Sequence, residues 1–193
     1  MTLAERLRKA LSAPPSVPPL KGDLPELRSD ATVPAAVLVA VTDRAEPGIV
    51  LTVRREHLRT HAGQIAFPGG RLEPGEDPVT AALREAREEI LLDPNEVDIV
   101  GPIEEYRTVT GFIITPVVGV IPPDLPLEPH EHEVADWFEV PLDFVLDLAN
   151  QERRSALLQG RTRHYYEILW NDRKIWGATA AMIVNLSRRL QWS

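Results

Sequence analysis

Phe67-Pro68-Gly69-Gly70-Arg71-Leu72-Glu73-Pro74-Gly75-Glu76-Asp77-Pro78-Val79-Thr80-Ala81-Ala82-Leu83-Arg84-Glu85-Ala86-Arg87-Glu88-Glu89-Ile90-Leu91-Leu92 is a glycine-rich loop that runs straight into a helix. Residues 78–91 contain no Gly or Pro after the leading Pro78. Val79, Ala82, Leu83, Ala86 and Ile90 recur at helical spacing, which predicts a helix over 78–91. Asp77 followed by Pro78 supplies an N-cap and a first-position proline. With 100° per residue, the apolar residues fall within about 60° of Val79, while Glu85, Glu88 and Glu89 share an arc of about 100° on the other side. Glu85 stands at i, i+4 to Glu89 and at i, i+3 to Glu88, so their repulsion opposes the helix unless something offsets it. Arg84, four residues before Glu88, offsets part.

A hard divalent cation such as Mg²⁺ offsets the rest, because it prefers carboxylate oxygens and keeps waters or phosphate oxygens in its other positions. Three glutamates on one helix face are ordinarily a solvated surface. The loop that leads into this helix is what sets them apart. Gly69, Gly70 and Gly75 have no Cβ to keep backbone groups away from an anion or a metal near the helix N-terminus.

Upstream of this segment, residues 35–41 and 49–54 are rich in Val, Leu and Thr, with Glu46-Pro47-Gly48 between them, and read as two strands joined by a turn. Downstream, strands are expected at 97–106, 113–121, 134–140 and 164–170, and helices at 142–148 and 178–190. Strands and helices mixed in this order indicate an α/β or α+β sandwich rather than a bundle or an all-β barrel. At the start of the chain, Leu3, Leu7 and Leu11 stand at helical spacing, and Pro14, Pro15, Pro18, Pro19 and Pro25 follow. They read as a short amphipathic helix packed back onto the domain, then an extended strap. Residues 1–33 are therefore an N-terminal helix and strap, and residues 34–193 form the domain.

The 193 residues accommodate one domain of ordinary size, 44% hydrophobic and 26% charged, which excludes disorder as a reading of the whole chain. There is no cysteine, so disulfides, thiolate metal sites and cysteine nucleophiles are excluded, and any metal must be held by oxygen or imidazole. The formal charge of −8 speaks against a general nucleic-acid partner. That charge is uneven. Residues 151–193 carry eight Lys and Arg against three Asp and Glu, and the acidic remainder is where a cation is welcome. No run is long enough to span a bilayer and the N-terminus lacks a secretory apolar stretch, so the expectation is a cytoplasmic protein without membrane partners.

Gly70, five residues, Glu76, seven residues, then Arg84-Glu85-Ala86-Arg87-Glu88-Glu89 resembles the Nudix box, the signature of hydrolases acting on nucleoside diphosphates linked to another moiety. Every charged position of that pattern is present. Leu91 stands where the family has Gly, and Leu92 is its final aliphatic residue, so a change is expected at the helix exit. The resemblance implies a Nudix-type sandwich with a mixed sheet between helices, and Mg²⁺ or Mn²⁺ as cofactor. It also implies Glu85, Glu88 and Glu89 as metal ligands. Glu85 and Glu89 lie closest on the helix face, and Glu88 is either a third ligand or the group that deprotonates water. A loop glutamate is the alternative base, Glu131 or Glu133, and His130 and His132 beside them are further possible ligands. Arg84 is expected to orient the ligands by pairing with a carboxylate of the helix.

Leu51-Thr52-Val53-Arg54, Arg59, Gly63 and Phe67-Pro68-Gly69-Gly70 resemble the motif preceding the box in coenzyme A pyrophosphatases of this superfamily. Arg55 replaces the usual Ser or Ala there, and Val50 the leading Leu. Ile175-Trp176-Gly177-Ala178-Thr179-Ala180 resembles that subfamily's ending. The implied reaction cleaves coenzyme A or a derivative, a small-molecule substrate, to 3′,5′-ADP and 4′-phosphopantetheine. Arg54 and Arg59 are then first in line for the 3′-phosphate, with Arg161, Arg163 and Arg173 as a second source. Tyr165, Tyr166, Trp170 and Trp176 read as core rather than as stacking partners for adenine. Alternatives are the same chemistry on ADP-ribose, a dinucleotide such as NADH or a nucleoside triphosphate, and a non-catalytic nucleotide-binding module. The complete glutamate trio argues against the last.

Overall fold

The computed structural model describes residues 1–23, 32–55, 63–158 and 161–190. Along the chain these form α1 (Leu3–Ser12), β1 (Val33–Thr42), β2 (Gly48–Arg54), β3 (Ile65–Ala66), β4 (Gly69–Arg71), α2 (Pro78–Ile90), β5 (Asp98–Pro102) and β6 (Tyr106–Arg107). There follow β7 (Phe112–Ile121), β8 (Val134–Pro141), α3 (Leu142–Leu146), β9 (Glu152–Leu158), β10 (Arg161–Trp170), β11 (Arg173–Trp176) and α4 (Ala178–Leu190).

β1 is the middle of a mixed sheet, parallel to β7 and antiparallel to β2 and β4. β2 extends the sheet to β3 and β8, and β7 extends it to β5 and β6. Ala36, Leu38 and Ala40 of β1 enter one core, with Ala81, Ala82, Ala86 and Ile90 of α2. Val37, Val39 and Val41 enter the other, with Leu3 and Leu7 of α1, Ile183 and Leu186 of α4, and Ile168 and Ile175 from β10 and β11. A strand buried on both faces needs apolar residues at every position, which is why β1 reads as a continuous run without alternation. The expected mixed sheet between helices is what the molecule has.

Leu3, Leu7 and Leu11 are buried, so α1 packs back onto the domain. The strap that follows is held by side chains. Asn185 donates to Leu20 O at 2.8 Å and accepts from Leu20 N at 2.7 Å. Asp23 accepts from the Tyr106 hydroxyl at 2.5 Å and from Val109 N at 2.7 Å.

Three expectations are corrected. The single strand over 97–106 is divided into β5 and β6, with a register shift against β7 between Ile99 and Gly101, where Gly101 has φ 143°. The helix over 142–148 ends at Leu146. β9 and β11 were not foreseen; with β10 they make a separate three-stranded antiparallel sheet. Glu152-Arg153-Arg154-Ser155-Ala156 has no apolar alternation, and these residues are exposed, so pairing with β10 alone makes them a strand. Tyr166 and Trp170 pack against the core as expected, but Trp176 stays exposed. No helix among the described residues is long and apolar enough to cross a membrane.

Candidate active site

α2 starts where expected, with the Asp77 carboxylate accepting from Val79 N at 2.9 Å and Thr80 N at 3.1 Å. Antiparallel pairing sets Gly70 opposite Ala36 and Gly69 opposite Val37, which brings the glycine loop alongside the acidic face of α2. A Cβ on Gly70 would lie 2.5 Å from Glu85 Cδ, and one on Gly69 would lie 2.6 Å from Val37 Cα. A side chain at 69 would collide with the β1 backbone, and one at 70 would push the Glu85 carboxylate aside.

Glu89 is 3% exposed, and its Oε2 accepts from Gly69 N at 3.1 Å. Burial pushes its carboxyl up to about 8; the Gly69 N–H and the Arg54 guanidinium pull it down, and Glu85 and Glu133 push it further up. Arg54 Nη1 lies 3.8 Å from Glu89 Oε1. Burial also raises the Glu85 carboxyl, against the hydrogen bond from Arg84, while the charges of Glu88 and Glu133 add to the rise. Glu88 stands at the rim with 59% of its side chain exposed.

Arg84 ties these groups together. Its Nε and Nη2 donate to the two oxygens of Glu76 at 2.9 and 3.0 Å, its Nη1 to Glu85 Oε1 at 2.9 Å and Glu88 Oε2 at 3.2 Å, and its Nη2 also to Arg71 O at 3.0 Å. The two-pronged partner is thus Glu76, which precedes the helix, and not only a helical carboxylate as expected. The spacing from Glu76 to Arg84 was the available signal. Pairing with Arg84 holds the Glu76 carboxyl below its ordinary range.

The loop before β8 is anchored to the end of α2, with His130 N donating to Glu89 O at 2.8 Å and Glu133 N to His130 O at 3.1 Å. It brings Glu133 within electrostatic reach of Glu85 and Glu89; Glu133, like His130, Glu131 and His132, is exposed. Arg59 lies outside the described residues, as does the side chain of Arg161. Arg173 is engaged by Asp136 at 2.7 Å and lies over the Phe138 ring. Sequence reasoning missed the Gly69 amide as a partner of Glu89; nothing in a run of glycines says which N–H will face a carboxylate.

Leu91 ends α2 with φ 55° and ψ 27°, the left-handed conformation that glycine adopts without steric cost. Leu91 N donates to Arg87 O at 3.0 Å and Leu92 N to Ala86 O at 3.4 Å. The helix exit is therefore preserved, and a leucine is strained to make it.

Among the described residues, no three His, Asp or Glu side chains are already gathered around one point. The donor chemistry nevertheless fits a hard divalent cation. Glu85 and Glu89 are all-oxygen donors whose charged forms are disfavoured by burial and by Glu133, and added positive charge relieves both.

A sheet between helices thus carries a glycine loop that feeds an arginine-braced set of glutamates. The NUDIX domain model matches residues 32–160, and the chain belongs to the Nudix hydrolase family, whose members act on small nucleoside diphosphate compounds and generally require divalent ions such as Mg²⁺ or Mn²⁺. It is 43% identical over 157 residues to the uncharacterized Nudix hydrolase NudL of Cronobacter sakazakii, and 40% identical to NudL of Escherichia coli K12. Each alignment covers 81% of this chain and 82% of the relative. Among solved structures, the C. elegans Ap4A hydrolase in a binary complex superposes with a TM-score of 0.49 at 23% identity, over 58% of this chain and 82% of that one.

Proposed function

We propose that this Nudix hydrolase cleaves the pyrophosphate bond of coenzyme A or a derivative, giving 3′,5′-ADP and 4′-phosphopantetheine. The observation that carries the chemistry is Glu89, buried beside Glu85 and Arg54 with its carboxyl raised to about 8. A group so placed is built to be charged only when a cation joins it. Glu85 and Glu89 would hold that cation, with Glu88 at the rim as third ligand or as base. When bound, the divalent ion supplies charge neutralisation at the two phosphoryl groups and a more acidic water.

Arg84 acts as a positioning residue, fixing Glu85 and Glu88 from a base on Glu76. Glu133, exposed and near both inner glutamates, is the alternative to Glu88 for accepting the proton of the attacking water. The choice of coenzyme A rests on the motif upstream of the box. It is supported by Arg54, whose Nε is buried without a hydrogen-bond partner among the described residues and would be satisfied by a phosphate oxygen. Arg59 is the second phosphate contact of this reading.

The test is mass spectrometry of the products formed from coenzyme A with Mg²⁺ in ¹⁸O water, beside parallel incubations with ADP-ribose and NADH. Labelled 3′,5′-ADP or labelled 4′-phosphopantetheine, with slower turnover of the other two compounds, is the expected result, and the label identifies the phosphorus attacked. Turnover of ADP-ribose or NADH with coenzyme A left intact would replace the substrate. No metal-dependent turnover of any of them would favour a binding module.

A further inference from the structure

Leu91 combines a left-handed backbone with a large apolar side chain that is 55% exposed. Burial does little to offset the strain, and glycine would remove it. What the side chain does is form a wall. With half-buried Leu83 and Pro94 it makes the apolar side of a groove of about 800 Å³ along the outer face of α2, to which Thr80, Arg87 and His130 add polar groups. The same groove is bordered by Arg84, Glu88 and Glu133, so it opens directly onto the carboxylate cluster.

We propose that this groove receives the non-nucleotide arm of the substrate, and that Leu91 is a specificity-determining residue for it. The inference rests on the coenzyme A reading above. That arm is a chain of methylene and amide groups, uncharged beyond its phosphate. It matches a groove with an apolar wall and a few polar groups, whereas a ribosyl group, rich in hydroxyls, would match the Leu83, Leu91 and Pro94 wall less well.

Leu91→Gly and Leu91→Asn both accept the left-handed conformation, so each removes the Leu91 part of the wall without disturbing the helix exit. Steady-state kinetics on coenzyme A with Mg²⁺, beside thermal melting, test the proposal. In both variants KM is expected to rise about five- to tenfold, with the loss falling in KM rather than in kcat, while Leu91→Gly melts no lower than the parent. An unchanged KM in both variants, with coenzyme A still cleaved by the parent, overturns the groove assignment alone. A KM rise accompanied by a lowered melting temperature in both would make Leu91 structural and overturn it as well. Failure of the parent chain to cleave coenzyme A removes the substrate reading and this one with it.

Discussion

In the proposed reaction Glu89 is the residue on which the chemistry turns, because its burial makes its charge costly without a cation. Glu89→Gln keeps the shape and the acceptor for Gly69 N–H but removes the charge. It is expected to lower kcat at least about 10²-fold with the fold intact, and near-normal turnover would take Glu89 out of the ligand set. The same carboxyl has a consequence for stability. Its folded value near 8, against an ordinary 4.5, means that the protonated form is favoured in the fold. Its contribution is complete below pH 4.5 and is lost as the pH climbs through 8. Metal-free protein should therefore lose stability relative to Glu89→Gln over that range, by at most about 1.4 kcal/mol per pH unit. Denaturant melts of the pair at several pH values, in chelator, check this. A constant difference would show that Glu89 ionises like an ordinary surface glutamate.

α2 was legible as an element because its signals are local. Asp77, Pro78 and the apolar recurrence from Val79 to Ile90 all lie within a few turns of one another, and the structure places the helix at Pro78–Ile90. The cap carries part of that definition. Asp77→Ala removes the acceptor for two amides and is expected to lower the denaturation midpoint. An unchanged midpoint would mean that tertiary packing alone defines the helix start. β9 was not legible, since its strand character comes from β10 across a ladder and not from its own residues. Residues 97–106 read as one strand because Ile99, Val100 and Ile103 continue the apolar run past Gly101, while the register against β7 shifts inside β5 and the ladder lapses over 103–105 before β6.

At the scale of the whole molecule, the sheet is covered on both faces, and α1 belongs to that cover. Leu7 is fully buried in the core shared with α4. Leu7→Ala should cost roughly 2–5 kcal/mol through the cavity it leaves, measurable by denaturant unfolding. A cost below 1 kcal/mol, far under that range, would show that α1 is detachable from the domain. Asn185 reinforces the arrangement by bonding both backbone groups of Leu20 across a separation of 165 residues, a pairing that no sequence window of ordinary length contains.

The amino-acid sequence by itself determined the sheet-and-helix class, the acidic helix with its glycine loop, and the glutamates and arginines to inspect, because helix periodicity, caps and motif spacing are properties of neighbours along the chain. Only the tertiary structure decided which of those glutamates is buried, that Gly69 and Arg54 meet Glu89, that Glu76 anchors Arg84, and that Leu91 strains to wall a groove. Burial and electrostatic strength depend on what the rest of the fold brings within a few ångströms of a side chain, and that proximity is created by strand pairing between distant segments.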